Sequence, residues 1–481
     1  ATKAPAERFA SSCDQGPTFS GAETMRGADL ESDSRTAGRV GGDEPHPLLR
    51  TRDAVAITIG IVLGAGIFRT PSLVAGGVTS EAMLMAVWAA GGLVALIGAL
   101  CYAELASAFP HAGGDYTYLR RAFGGRLAFL YAWARLTVIQ TGSVAILCFV
   151  FGDYLADLLP LGANGSAIYA ALAVIGLTAL NWLGVRQGTF AQNMLTLLEV
   201  AGLAAVIVAG LALAPAATPA PAPAGCAPDG ALGLVMVFVL LTYGGWNETV
   251  YVSAELRGGP RRMLRVLLLG LGAITGLYLL VNLAYMRALG LAGMAASEAV
   301  AAEVMRRAAG GAGAVLITAA VAVAALTSAN ATVITGARST FALGRDMPQL
   351  GFLGRWNGTT GTPGNALLVQ GGMALLLVIA GAFARDGFQM AVEYSAPVFW
   401  FFFLLVGIAL FVLRRRAPDV PRPFRVPLYP LTPLLFCAAN AWLLWSSLAY
   451  TGWGALVGAG VLAAGVILLL FLSPTSKEAA P

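Results

Sequence analysis

Charge is what this sequence has least of. Asp, Glu, Lys and Arg together make up 11% of its 481 residues, whereas a soluble domain carries about 25%. That leaves too little polar surface to keep a chain of this length in water. Histidine is almost absent: His46 and His111 stand alone, away from any Cys or carboxylate cluster. A metal site is therefore not expected, and no cofactor is called for. The five cysteines, Cys13, Cys101, Cys148, Cys226 and Cys437, are scattered and lie mostly inside apolar runs. They read as small buried hydrophobes, not as a disulfide framework. No basic stripe with interleaved aromatics appears, which argues against nucleic acid. No nucleophile–base pattern marks an enzyme, no span has the continuous polar face of a channel, and no segment is large enough for a sensor's soluble output domain.

What is present is apolar and long. Hydrophobic residues make up 58% of the chain, and its mean hydropathy is +0.75. About 20 consecutive apolar residues span a bilayer core as a helix, and lipid leaves only helices or closed barrels as spanning structures. These runs are too long for barrel strands and lack their period-two alternation, so the expected class is an all-α membrane protein. Twelve spans are expected, near 53–76, 82–108, 126–154, 167–185, 190–214, 230–256, 263–288, 312–342, 365–384, 388–413, 431–450 and 453–473. Residues 1–48 are polar, lack apolar periodicity and read as a disordered cytoplasmic tail without a signal-peptide core. Residues 215–229, rich in Pro and Ala, read as an extracytoplasmic loop. The segment Leu291–Ala309 is the longest loop on that side and is expected to hold a short surface helix. Leaving out the tail, a cytoplasmic N-terminus puts nineteen Arg and Lys on the inner side and five on the outer. The positive-inside rule then sets both termini in the cytoplasm, and a bacterial inner membrane is the expected location.

Two spans are interrupted. The first contains GIVLGAGIFRTP, Gly60 to Pro71, and the sixth contains LTYGGWNET, Leu241 to Thr249. Each Gly weakens a helix by about 1 kcal/mol relative to Ala. The interruptions open two five-span units, 49–214 and 230–413, followed by 414–481 with the last two spans and a tail. Five is odd, so the second unit runs inverted. Broken helices at matching positions of inverted repeats mark a substrate site at the midplane. An unwound turn leaves N–H and C=O groups that lipid cannot satisfy and a ligand can. Amides at a half-helix start favour a carboxylate, and carbonyls ending the other half favour an ammonium. A free amino acid carries both.

The residues at these breaks resemble a known group. GIVLGAGIF and TYGGWNETVYVSAEL are similar to the first and sixth helices of the amino acid–polyamine–organocation superfamily, most of all its L-type amino acid transporter branch and bacterial relatives. HAGGDYTYLRRAFG, His111 to Gly124, resembles that branch's first cytoplasmic loop. TSANATVITGAR, Thr327 to Arg338, resembles its eighth helix, and RPFRVPLYP, Arg422 to Pro430, the loop before its eleventh. The resemblance covers roughly residues 50–450. It implies the LeuT fold, twelve helices with a 5+5 inverted repeat, working by alternating access as helices 1, 2, 6 and 7 rock against a scaffold. It also implies a permease for amino acids, neutral ones first, coupled to protons or working by exchange. A carrier for polyamines or cationic amino acids on the same fold is the alternative.

By the same resemblance, the substrate site maps onto Val62, Gly64, Ala65 and Gly66, and onto Leu241, Gly244 and Asn247. The substrate carboxylate is expected at the amides around Ala65 and Gly66, its ammonium at carbonyls near Val62 and Leu241. Two positions depart from the branch. Leu241 stands where many members carry an aromatic gate. Glu199 stands where the branch often has a fifth-helix lysine beside the helix 8 serine, here Ser328; both are coupling candidates, with H+ the expected ion and Na+ the other. Intramembrane charges are costly and normally face the protein interior. Arg135, Glu248, Glu255 and Glu393 are therefore gate candidates, with Tyr243 and Trp246 beside the second break, and Arg135 is also a possible ion-pair partner of Glu199. The heteromeric members join a glycoprotein through a cysteine between helices 3 and 4; Asp153 to Ser166 has none, so no covalent partner is expected.

Overall fold

A computed structural model describes residues 51–64, 66–111, 113–217, 231–255, 261–297, 299–383, 387–451 and 453–471. The tail, part of the 215–229 loop, Ala65 and the side chain of Glu255 lie outside the described residues. The order of elements is α1 (Thr51–Val62), α2 (Gly66–Gly76), α3 (Glu81–Ala108), α4 (Gly114–Phe123) and α5 (Gly125–Ala134). A π turn (Arg135–Ile139) leads into α6 (Gln140–Leu158), then α7 (Gly165–Leu183) and α8 (Val185–Val208). After α9 (Ala231–Thr242) and a 3-10 segment (Trp246–Glu255) come α10 (Arg261–Ala296) and α11 (Val300–Asp346). The last four are α12 (Gly364–Ala382), α13 (Gly387–Arg416), α14 (Leu431–Thr451) and α15 (Trp453–Phe471). Among the described residues no strand forms beyond one isolated bridge, Asn357 to Thr362.

Nine helices among the described residues are long and apolar enough to cross a membrane. The expected first and sixth spans fall outside that set for a physical reason: each is two short pieces, α1 with α2, and α9 with the 3-10 segment. The expected twelfth corresponds to α15, a 19-residue apolar helix. Large apolar side chains stand exposed in mid-helix, among them Leu93, Leu172, Leu197, Leu316 and Leu376. Water would not tolerate so wide an apolar belt, and hydrocarbon accepts it. The polar side chains turn inward instead, as with Asn181 of α7, whose amide donates to Asn330 Oδ1 of α11 at 2.7 Å.

The sequence motifs acquire structural meaning. The segment Leu291–Ala309 is nearly all helix: α10 runs on to Ala296 past a kink at Gly290 (φ 68°), and α11 opens at Val300 and kinks at Gly310 (φ 70°). HAGGDYTYLRRAFG folds into α4. RPFRVPLYP is tied down by Glu104 of α3, which is 1% exposed. The Arg414 guanidinium donates to both Glu104 oxygens, at 2.7 and 2.5 Å, and the Val426 amide donates at 2.6 Å. Arg422 donates to the carbonyls of Leu413 and Ala417, closing the C-terminus of α13 where helical carbonyls lack partners.

Candidate functional site

Two chain breaks face each other inside the bundle. α1 stops at Val62, and the Gly64 amide folds back to donate to the Val62 carbonyl at 2.7 Å. α9 stops at Thr242, and the Gly244 amide donates to Leu241 O at 3.0 Å. Gly245 then takes a left-handed φ of +100°, a conformation nearly reserved for glycine. A β-carbon there would lie 3.1 Å from the Ile61 carbonyl oxygen, so the second break abuts the end of α1.

A residue not singled out in the sequence joins the two. Tyr278 of α10 is fully buried, and its hydroxyl lies 2.9 Å from Val62 O and 3.1 Å from Thr242 O, donating to this pair. Its ring packs at 5.0 Å from Tyr243 and 5.7 Å from Trp88. Side-chain bonds secure each half: Thr242 Oγ1 donates to Thr70 Oγ1 of α2 at 2.9 Å, and Thr249 Oγ1 to Thr58 Oγ1 of α1 at 3.0 Å. Of the expected substrate residues, Val62, Gly64, Gly66, Leu241 and Gly244 therefore sit at the breaks. Asn247 is buried at the start of the 3-10 segment. The Val62 carbonyl, expected for the ammonium, already takes two donors. Gly244 borders a cavity of about 20 Å³, lined also by Trp246, Phe399, Trp400, Phe403 and Asn440. That is room for about one water.

Behind the first break lies the expected coupling region. A β-carbon on Gly64 would come within 2.9 Å of Ser328 Oγ, and that hydroxyl is buried without a hydrogen-bond partner among the described residues. On α8, Thr196 touches Gly60 of α1, and Gly202 touches Ala320 and Ile317 of α11. Glu199 falls midway at three-residue spacing, hence on the same face, towards the seam of α1 and α11. It is 1% exposed, and neither carboxylate oxygen has a hydrogen-bond partner among the described residues.

The possible pairing of Arg135 with Glu199 is overturned. Arg135, at the head of the π turn, sends Nη2 to Glu248 at 2.9 and 2.6 Å. Its Nε donates to Ser339 Oγ at 2.8 Å and its Nη1 to the Tyr131 hydroxyl at 3.2 Å. The reason is placement: Arg135 faces the 3-10 segment and the far end of α11, while Glu199 faces the seam near the breaks. Arg135 is buried and Glu248 half-buried, with side-chain exposures of 3% and 13%. Tyr243 donates its hydroxyl to the Trp88 carbonyl at 3.0 Å, and Trp246 packs edge-on against Tyr102 at 5.0 Å. Both tie the sixth-span segment to α3. Glu393 is half-buried on α13.

Known proteins resemble this chain over most of its length. A family model described as amino acid permease matches residues 49–471. The b(0,+)-type amino acid transporter 1 of Mus musculus is 30% identical over 389 residues, covering 78% of this chain and 77% of its own length. The Homo sapiens counterpart is 29% identical, with 81% and 80% covered. The large neutral amino acids transporter small subunit 2 of Rattus norvegicus is also 29% identical, with 92% and 83% covered.

Proposed function

Because this chain belongs to the amino acid permease family, and is thus a multi-pass membrane transporter of amino acids, we propose that it is a secondary active permease for neutral L-amino acids that cycles by alternating access. The reading takes the twelve spans as a LeuT fold, with inverted repeats at 49–214 and 230–413, residues 414–481 outside them, and both termini in the cytoplasm of a bacterial cell. The observation that carries it is the meeting of two interrupted helices at Gly64 and at Gly244–Gly245, with one hydroxyl, Tyr278, spanning the carbonyls of both breaks. Such backbone groups suit the two charges on an amino acid's α-carbon. A substrate ammonium arriving at Val62 takes the place of the Tyr278 hydroxyl there, so binding loosens α10 from the first break while the bond to Thr242 O remains. The carboxylate meets the amides around Ala65 and Gly66. The polyamine alternative loses weight because Glu248, an acid it would draw on, is engaged by Arg135. No covalent partner is part of this reading.

Leu241 is the outer boundary of the pocket in this reading. Leu241→Phe should lower uptake of large side chains relative to small ones by about tenfold, the usual worth of a size mismatch in an apolar pocket. Uptake of labelled alanine against labelled leucine measures it. Unchanged relative rates would remove Leu241 from the pocket.

Glu199 is the coupling residue of this reading, with Ser328 beside it, and the ion is H+. An unpaired ionised carboxylate is costly in such a place, whereas a proton neutralises it without the cage of oxygens that sodium requires. Glu199→Gln mimics the protonated form. In proteoliposomes it should keep exchange of labelled amino acid and lose accumulation driven by a proton gradient. A panel of labelled amino acids and putrescine, with and without that gradient, tests the substrate in the parent protein. Accumulation by Glu199→Gln that still follows the proton gradient would remove Glu199 from coupling, and uptake of putrescine alone would replace the substrate.

A further inference from the structure

A second buried carboxyl lies outside the membrane spans, and transport as read above makes no use of it. Asp115 is the second residue of α4, yet only 1% exposed. Three tyrosines gather near it. The Tyr131 hydroxyl donates to Asp115 Oδ2 at 3.1 Å, while Tyr102 of α3 and Tyr118 of α4 are close enough to interact with it electrostatically. The hydroxyls of Tyr102 and Tyr118, and Asp115 Oδ1, are buried without a hydrogen-bond partner among the described residues. The Tyr131 oxygen in turn accepts from Arg135 Nη1 at 3.2 Å. A line therefore runs from Asp115 through Tyr131 to Arg135 and on to Glu248. Arg135 stands between two acids: Glu248 pairs with it directly, and Asp115 is joined to it through Tyr131.

We infer that Asp115 is the proton-binding site of the cytoplasmic gate: it carries a proton while Arg135 is paired with Glu248, and releases it to cytoplasmic water when Glu248 leaves, becoming the counter-ion of Arg135. The inference rests on reading the Arg135–Glu248 pair as that gate. Glu248 belongs to the broken sixth span and Arg135 to the third, so rocking of one against the other separates them. Asp115 is then the acid that Tyr131 joins to Arg135.

The surroundings agree. Asp115 is pushed up to about 7, first by burial and then by the charge of Glu248, against the opposing effects of Arg135, Tyr131 and Tyr102. Losing Glu248 removes a charge that favours the proton and frees one that expels it. Several charged groups around α4 are engaged elsewhere. Tyr116 and Arg120 of α4 donate to Asp346 of α11 at 2.5 and 2.9 Å. Glu104 of α3 holds Arg414 of α13, Arg416 of α13 donates to the Ala122 carbonyl, and His111 Nδ1 accepts from the Gly113 amide.

The sign follows. The closed gate binds the proton more tightly than the open one, so acid holds the gate shut. That advantage is complete below the open-state value, near the ordinary carboxylate range of about 4. It is lost as pH rises to about 7. Between those limits one linked proton changes the open fraction by up to about tenfold per pH unit.

The test places a single cysteine at Thr335, one turn inward from Ser339 on α11, in full-length protein with its native cysteines replaced. Labelling by a bulky polar maleimide in detergent, with its rate divided at each pH by that of glutathione so that thiolate ionisation cancels, reads gate opening without a chosen substrate. This normalised labelling rate should rise steeply from pH 5.5 to 7 and level off above. In Asp115→Asn it should lose that dependence. Tyr131→Phe, which removes the hydroxyl favouring the ionised form, should move the midpoint upwards, and it covers the case of an Asp115→Asn protein that does not fold. A pH profile in Asp115→Asn matching the parent's, or a flat profile in the parent, overturns the proposal. A Glu248→Gln protein labelled no faster than the parent at pH 7 defeats the gate reading, and the proposal with it; amino acid uptake by the parent is judged separately.

Discussion

Gly245→Val is expected to abolish amino acid uptake while the protein still inserts and purifies at near-parental yield. Two costs coincide at this position. Its φ of +100° is one that a β-branched side chain adopts only with strain of about 1–3 kcal/mol. Its β-carbon would also meet Ile61, at 2.9 Å from Cγ2 and 3.1 Å from the carbonyl oxygen, and overpacking adds about 1–3 kcal/mol. The carbonyl cannot swing aside like a side chain, because it belongs to the end of α1. The two breaks must then separate, and uptake should fall by at least about a hundredfold. Gly64→Val should be milder, since its nearest neighbour at 2.9 Å is the rotatable Ser328 hydroxyl. Gly66→Val should be the mildest on packing grounds, with the Thr242 methyl at 3.2 Å, unless a substrate carboxylate needs that space. Initial uptake per purified molecule in proteoliposomes gives the ranking. Near-normal uptake by Gly245→Val would mean that the meeting of the two breaks is not the transport site.

Much of this site could be read from the sequence because helix interruption is a local property. Three glycines within Gly60–Gly66 and the pair Gly244–Gly245 weaken their own helices whatever surrounds them, and the structure breaks there. The spans were legible for the same reason: apolar length is local, and lipid imposes it. Side-chain pairing is not local. Arg135 had to find an acid, but nothing in its own run distinguished Glu199 from Glu248. The choice is made by which way the π turn points its first residue. Tyr278 was invisible because a tyrosine in an apolar run usually only packs; that its hydroxyl reaches two carbonyls depends on three segments converging. Asp115 sat in a polar loop motif where exposure is the ordinary expectation, and only the packing of α4 against its neighbours buries it. The motif at Arg422 to Pro430 was recognisable, but its purpose needed Glu104, more than three hundred residues earlier, to be seen beneath it.

Arg135→Gln should leave the carrier open to the cytoplasm and unable to accumulate substrate. Arg135 is buried and Glu248 largely so, at 3% and 13% exposure. Removing one member of a buried pair typically costs about 3–5 kcal/mol, because the other charge stays behind without its partner. Here the molecule has an escape that a rigid core lacks: if the sixth-span segment swings outwards, Glu248 regains water. The penalty therefore falls on the closed state alone. A shift of even 3 kcal/mol would favour the open gate by about a hundredfold. The cycle requires the cytoplasmic side to close before the outer side opens, so net uptake should fall by a similar factor, while binding of amino acid from the cytoplasmic side persists. Glu248→Gln should produce a milder form of the same fault, because Asp115 can ionise as counter-ion to Arg135 and the Tyr131 and Ser339 oxygens still accept from it. The double variant Arg135→Gln with Glu248→Gln leaves no stranded charge, so it should close better than either single variant. Cysteine labelling at Thr335 together with uptake, measured over this double-mutant cycle, isolates the pair's own contribution. If the double variant is as open and as inactive as the sum of the two singles predicts, the pair is not what holds the cytoplasmic side shut.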